Sequence, residues 1–341
     1  MRVTLEDMAR CLGLSRSTIS RALNDHPRVS EDTKERVRAL ADKMGYIPDE
    51  IAKGLRLRET KVLGFITQGF ASSYAGDILQ GVEETASEMG YSVIVGTSRG
   101  SPKVEKELIL TFLGRKVDGL IIVPIVSRRN ARFYQSLLRQ NFPLIFVDRH
   151  LPEVKSGYVT THNHRGAREA VLHLIEQGYR RIACLAGLEA HCFEVEERVR
   201  GYNEVLDEYS LPYRRVCGEH NLEGFNNHIH YGYEQTIDIL QEDEKPDAIV
   251  AINDEIALGA MRACIECGVR VPEDVGIIGF DNLLIDAYLP ISLTSIQQPK
   301  FEMGSEAATW IIGVRNGLVD GKILEKQLQP RLVVRESTRR K

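Results

Sequence analysis

From Lys61 onward, short apolar runs alternate with stretches of helical periodicity, and this alternation leaves few folds open. The runs are VLGFIT (62–67), YSVIVGT (91–97), VDGLIIVP (117–124), PLIFVDR (143–149), YVTT (158–161), RIACLAG (181–187), DAIVAIN (247–253) and VGIIGFDN (275–282). Between them the spacing predicts helices over 74–89, 103–113, 131–140, 166–177, 195–209, 233–241, 255–267 and 301–315. Most of the runs are apolar at consecutive positions, as in strands buried on both faces. Parallel sheets covered by helices have this pattern. A division near Thr160 predicts two doubly wound lobes. Ligands of open parallel sheets bind beyond the carboxyl ends of the strands, so the residues just after each run are the candidates. They are Ser72, Ser73 and Tyr74, then Asp148 and Arg149, Arg198, Asn253 and Asp254, and Asp281 and Asn282. Carboxylates, amides and guanidiniums at such a cleft suit a polyhydroxylated ligand. Asn253 and Asp254 also suit the N-cap of the next helix, and both roles stay open. Asp281 begins no evident helix and is the stronger ligand candidate. No GxxxxGK[ST] or helix-opening GxGxxG is present, which excludes the usual routes to binding ATP or NAD.

The first 24 residues follow a different rule. In TLEDMARCLGLSRSTISRALN, Thr4 and Asp7 form a capping-box pattern, and Leu5, Met8 and Ala9 make an apolar stripe. Gly13 breaks the helix and Ser15 offers a second N-cap. Ile19, Ala22 and Leu23 are the inner stripe of the second helix, which leaves Arg16, Ser17, Ser20 and Arg21 facing outward. A short helix presenting guanidiniums and hydroxyls fits a DNA major groove, where Arg reads guanine O6 and N7. Two helices, a tight turn and a polar second helix make a helix-turn-helix pattern. A plain helical hairpin with one solvated face is the alternative. Ser30 caps a third helix, 31–44, with Val37, Leu40, Ala41 and Met44 inside, and Gly45 is its C-cap candidate. Beyond Pro48 a short helix, about 50–57, carries Lys53 and Arg56 and includes Gly54; it is too short to be stable alone.

The net charge of −4 argues at first sight against a nucleic-acid partner, but residues 1–60 carry +2 and the remainder −6. The positive excess sits with the helix-turn-helix, where it counts. No apolar stretch has the length of a membrane span or the form of a secretion signal, so a cytoplasmic, nucleoid-associated protein is expected. The six cysteines are scattered, which argues against a disulfide framework; Cys264 and Cys267 are read as small buried or half-buried side chains. His220, His228 and His230 lie in or beside NLEGFNNHIHYGY, read as an insertion at the cleft. With no carboxylate or cysteine at a closing distance, they are read as surface or rim histidines rather than metal ligands.

Taken in order, STISRALN (17–24), GYIPDEIAKGL (45–55), VDGLIIVP, GVRVPEDVGIIGFDN (268–282), LTSIQQP (293–299) and PRLVVRES (330–337) resemble the lactose-repressor (LacI/GalR) family of bacterial transcription regulators. The resemblance covers nearly the whole chain. It implies an all-α helix-turn-helix DNA-binding head (1–46), a hinge helix and linker (47–60), and an α/β effector-binding core of two doubly wound parallel-sheet lobes, like the periplasmic binding proteins (61–341). The expected lobes are about 61–160 plus 291–322, and about 161–290 plus 323–341. Implied DNA contacts are Thr4, Ser15, Arg16, Ser17, Thr18, Ser20, Arg21, Asn24, Lys53 and Leu55, with Leu55 as a minor-groove wedge. Implied effector contacts are Tyr74, Asp148, Arg149, Arg198, Asn253 and Asp281, with His220 where many members carry a stacking aromatic. The implied partners are near-palindromic operator DNA, a second copy in a homodimer, and a small-molecule effector, with an inducing sugar ahead of a corepressing purine or phosphorylated metabolite. No cofactor, metal or catalytic residue is implied. The chain ends in ESTRRK without the leucine heptads of a tetramer tail. A transporter-linked solute-binding protein shares the lobes but not the head, and a sugar-metabolising enzyme would need a catalytic constellation that the sequence does not display.

Overall fold

The computed structural model describes residues 3–47, 59–187, 192–212, 215–218, 227–319 and 323–340. The chain forms two units, 1–60 and 61–341. In the first, helices α1 (Leu5–Leu12), α2 (Arg16–Leu23) and α3 (Glu31–Met44) pack around Met8, Ile19, Ala22, Val37 and Ala41. Thr4 and Asp7 close a reciprocal capping box on α1, and Gly13 ends it in the left-handed conformation at φ 66°. Ser15 and Ser30 cap α2 and α3. Lys34 is buried, an arrangement the apolar pattern did not foretell. Its ammonium pairs with Glu31 at 2.6 Å and Asp25 at 3.8 Å, tying the loop after α2 to α3. The expected hinge helix, with Lys53 and Leu55, lies outside the described residues.

The second unit contains two six-stranded sheets. The first holds β1 (Val62–Thr67), β2 (Ser92–Thr97), β3 (Gly119–Ile122), β4 (Leu144–Val147) and β5 (Gly157–Thr161), all parallel. Helices α4 (Tyr74–Glu88), α5 (Pro102–Gly114) and α6 (Ala131–Arg139) connect them. Alternate residues of each strand serve opposite faces. Leu63, Phe65, Ile121 and Ile145 meet α4 on one face; Ile66, Leu120, Ile122 and Phe146 meet α5 and α6 on the other. The chain then crosses to the second lobe through α7 (Asn163–Glu176), β6 (Ile182–Gly187), α8 (Phe193–Glu208), β7 (Arg215–Gly218), α9 (His228–Leu240), β8 (Ala248–Ala251), α10 (Asp254–Glu266), β9 (Gly276–Asp281) and β10 (Thr294–Gln297). A single large core cluster fills this lobe. Helix α11 (Lys300–Arg315) returns to the first lobe and packs on α4. Strand β11 (Glu325–Leu328) joins the first sheet beside β5, and β12 (Arg331–Val333) runs antiparallel to β10 at the edge of the second.

This topology corrects the expected lobe limits. Strand β10 pairs with β9, Thr294 opposite Ile278, so the first lobe resumes only at α11. Strand β11 belongs to the first sheet, because Glu325–Leu328 is the only described stretch that covers the open edge of β5. The chain therefore crosses between lobes three times, near residues 162, 299 and 330. Helix α7 begins three residues before the expected Gly166 because the His162 ring caps it, accepting the Arg165 N–H at 3.4 Å. Helix α9 starts at His228 rather than Tyr233, which places His228 and His230 in a helical first turn. Cys264 is buried as expected, whereas Cys267, past the end of α10, is exposed. Among the described residues, no helix is long and apolar enough to cross a membrane.

Each lobe contains a helix pair in backbone contact through glycines. A Cβ on Gly81 of α4 would lie 2.0 Å from the Phe301 carbonyl oxygen, and one on Gly304 of α11 would lie 2.0 Å from that of Ile78. In the second lobe, Gly232 of α9 and Gly259 of α10 face the Ile256 and Ile229 carbonyl oxygens at 2.1 and 1.9 Å. Neither backbone can yield without moving its helix. Gly304→Ala is therefore expected to cost about 1–3 kcal/mol, the usual cost of overpacking, seen as a lower urea midpoint at unchanged slope. An unaltered midpoint would show that the helices separate freely.

The second lobe also buries two carboxyls together. Asp254 and Asp286 are both buried, and neither carboxyl oxygen of Asp286 has a hydrogen-bond partner among the described residues; two neighbouring carboxyls so far from water favour holding a proton over carrying two charges. Asp254 further accepts from Ser295 Oγ at 2.6 Å and the Leu283 N–H at 2.9 Å. Burial, and then the neighbouring Asp286, hold the Asp254 pKa well above the carboxylate range. A carboxyl with a raised folded pKa contributes stability at low pH that is lost as pH rises through the folded value. Asp286→Asn removes one of the two carboxyls, and with it the repulsion that raises the Asp254 pKa. It should stabilise the protein at pH 8 relative to pH 5, as read by the denaturation midpoint at each pH. An unchanged pH slope would rule out the held proton.

Candidate functional site

Two surfaces carry the candidate chemistry, one in each unit. On the first, capping chemistry divides the polar residues of α2. Ser15 Oγ accepts the Thr18 N–H at 3.1 Å and lies 2.7 Å from Ser17 Oγ and 2.8 Å from Thr18 Oγ1. Asn24 Nδ2 donates to the Ser20 carbonyl at 2.6 Å, and the Thr4 hydroxyl donates to Asp7 at 2.7 Å. Thr4, Ser15, Thr18 and Asn24 thus help to hold the helices in shape. Arg16, Ser17 and Arg21 are exposed and Ser20 is half-buried, leaving a guanidinium at each end of one short helical face.

The second surface is the cleft between the lobes of the core, at the carboxyl ends of β1, β4, β8 and β9. It is lined by Tyr74, Asp148, Arg149, Arg198, Asn253 and Asp281, together with Gln68, Ser72, Cys192, Glu194, His228, Glu255 and Gln298. Helix α4 places Tyr74 so that its hydroxyl donates to Asp148 Oδ1 at 2.6 Å. Asp148 is 8% exposed and pairs with Arg149 at 3.4 Å; burial pushes its pKa up, with Arg149 opposing. From the second lobe, Arg198 on α8 donates through Nε to Asn163 Oδ1 at 2.7 Å and through Nη1 to the Ile252 carbonyl. Its guanidinium carbon lies 3.8 Å from the Phe280 ring centroid. Asn253 caps α10, accepting the Ile256 N–H at 2.8 Å, while its Nδ2 reaches His228 Nδ1 at 3.5 Å. It both caps the helix and lines the cleft.

Asp281 ends β9 and accepts from Gln298 Nε2 at 2.7 Å. Burial, and then Asp254 behind it, hold its pKa well above the carboxylate range, against Arg198 and Lys300. Its φ is 149°, and Asp148 and Asn282 have φ of 69° and 54°. Backbone strain in non-glycine residues gathers at functional sites, because the surrounding structure must sustain it. A carboxyl with a raised pKa, an amide and a guanidinium converge here as donors and acceptors for hydroxyl groups.

Sequence reasoning missed Gln68, Cys192, Glu194 and Glu255 as cleft residues. Glu194 stands in the first turn of α8, which starts at Phe193, two residues before the expected 195, so the sequence reading left it outside the helix. His220 lies outside the described residues. Among those described, no group of three or more metal-ligating side chains comes together; His230 instead pairs with Glu234 at 2.9 Å.

Residues 4–49 match the family model of bacterial regulatory proteins, lacI family, and residues 171–338 match that of a periplasmic binding protein-like domain. Catabolite control protein A of Priestia megaterium is 30% identical over 343 residues, spanning 99% of this chain and 100% of that protein. The ribose operon repressor of Haemophilus influenzae is 28% identical over 98% of both. Among solved structures, the lac repressor dimer bound to operator and the anti-inducer ONPF aligns with a TM-score of 0.87 at 27% identity, over 99% of each chain. These relatives are regulators of transcription rather than enzymes, and they match this chain from the helix-turn-helix through both lobes. The chain belongs to the LacI family of bacterial regulatory proteins, as a transcriptional repressor regulated by effector binding.

Proposed function

We propose that this repressor binds operator DNA as a homodimer through the outward face of α2, and that a sugar held in the cleft induces release. The observation that carries the effector half is the meeting of Asp148, Arg198, Asn253 and Asp281, from four separate segments, at the carboxyl ends of the strands. Each offers a hydrogen-bonding edge suited to a hydroxyl, and Tyr74 adds a ring beside them. One relative is named for the ribose operon, which accords with a sugar. Arg16, Ser17, Ser20 and Arg21 are the proposed base and phosphate readers, with Thr4, Ser15, Thr18 and Asn24 supporting them. Lys53 and Leu55 are assigned to DNA, and His220 to the effector, by resemblance alone.

The test is thermal stability against a panel of sugars, nucleosides and purines, repeated with operator DNA. A ligand at 100 times its dissociation constant adds about 2.7 kcal/mol. A sugar that stabilises the free protein and weakens operator binding is the expected result; a purine that strengthens operator binding would overturn it. Asp281→Asn, whose Oδ1 still accepts from Gln298, should sharply weaken the response to that sugar while operator affinity is retained. A drop in operator affinity instead would make Asp281 a structural residue. Arg16→Ala should cost about 1–3 kcal/mol of discrimination between operator and altered half-sites, measured by titration at fixed salt. An equal loss on unrelated DNA would reduce Arg16 to a phosphate contact.

A further inference from the structure

Three helices, α4, α8 and α10, direct their N-terminal turns at the cleft. Such termini are ready-made anion sites. Here each has acid in its first turn: Asp77, Glu194 with Glu196, and Asp254 with Glu255. At α8 the N-cap residue Cys192 supplies no side-chain cap. The Glu194 carboxylate stands at this turn instead and accepts the Cys192 thiol at 3.1 Å. It also reaches the other lobe, where the His150 N–H donates to it at 3.1 Å and the His150 ring lies 2.7 Å away. Glu194 is 3% exposed, and that ring is stacked on Tyr158 at 4.4 Å. Burial opposes the charge, but the bonds from His150 hold the Glu194 pKa below its ordinary value. The carboxylate therefore occupies the place a ligand phosphate would take at α8. The guanidinium of Arg198 is already engaged by Asn163 and Ile252, and that of Arg149 lies against Asp148.

We propose that Glu194 is a specificity-determining residue that bars phosphorylated ligands from the cleft, so that the effector is an unphosphorylated sugar. The inference rests on the sugar reading above and narrows it. Phosphate oxygens placed beside a fixed carboxylate meet like-charge repulsion, and Arg149 and Arg198, which line the same cleft, already hold other partners.

Calorimetric titration of the full chain with matched pairs tests it: ribose and ribose 5-phosphate, glucose and glucose 6-phosphate, fructose and fructose 6-phosphate. At least one free sugar is expected to bind, with its ester weaker by about tenfold or more. Glu194→Gln should narrow that ratio by strengthening the ester, whereas His150→Gln, which keeps the carboxylate, should leave the ester excluded. An ester that binds the unaltered protein as tightly as its parent sugar overturns the proposal. So does a Glu194→Gln variant that weakens both by one factor, since a merely structural role predicts an unchanged ratio. Failure of every sugar and every ester to bind would sink the sugar reading itself, and is distinct from tight binding of an ester.

Discussion

Gln298 ties the two lobes together at the wall of the cleft. Its Oε1 accepts from Thr161 Oγ1 at 2.6 Å and its Nε2 donates to Asp281 Oδ1 at 2.7 Å, with 3% of the residue exposed. Thr161 ends β5 at the first crossing, Gln298 stands at the second, and Asp281 ends β9 in the cleft. One buried amide thus fixes two crossings to each other and aims a strained carboxyl at the ligand space. Buried polar bonds of this kind are costly to leave unmade. Under the proposed function, a ligand that draws on Asp281 would act on the crossings as well as on the second lobe.

Much of this was legible in the sequence, for a definite physical reason. Consecutive apolar residues marked β1, β3, β4, β6, β8 and β9, because strands buried on both faces need them. Gly13, Ser15 and Ser30 marked the turn and caps of the head, because those positions place strict demands on backbone and side chain. Asp148, Arg198, Asn253 and Asp281 were picked out because the residues that follow parallel strands line the cleft at their carboxyl ends. Strand β11 escaped, since EKQL lies at a sheet edge and carries no apolar run, and β12, within PRLVVRES, was noticed only as a motif. Strand β10 was noticed as a motif but given to the wrong lobe, because pairing with β9 is a long-range choice that local pattern does not encode. Glu194 escaped for a related reason: its environment is made by His150 and Tyr158, distant in sequence and in the other lobe.

The paired glycines bear on how such a protein can switch. Gly81 and Gly304 in one lobe, and Gly232 and Gly259 in the other, bring backbones so close that the helices cannot slide without collision. Close-packed interiors transmit displacement rather than absorb it. Within each lobe that helix pair resists sliding, and the lobes are joined through the three crossings and the side-chain bonds near them. Among those bonds are Gln298 to Asp281, Glu194 to His150, and Lys300, which reaches the Asn282 carbonyl at 3.1 Å and Asp77 at 2.9 Å. All three involve residues that line the cleft or adjoin its lining. A ligand that exchanges even one of these bonds for its own alters the balance between lobe arrangements directly, since it can shift that balance only by as much as it binds the two arrangements differently. If the cleft holds the effector as proposed, its contacts and the fastenings between the lobes are the same residues, and binding and switching would draw on the same few hydrogen bonds.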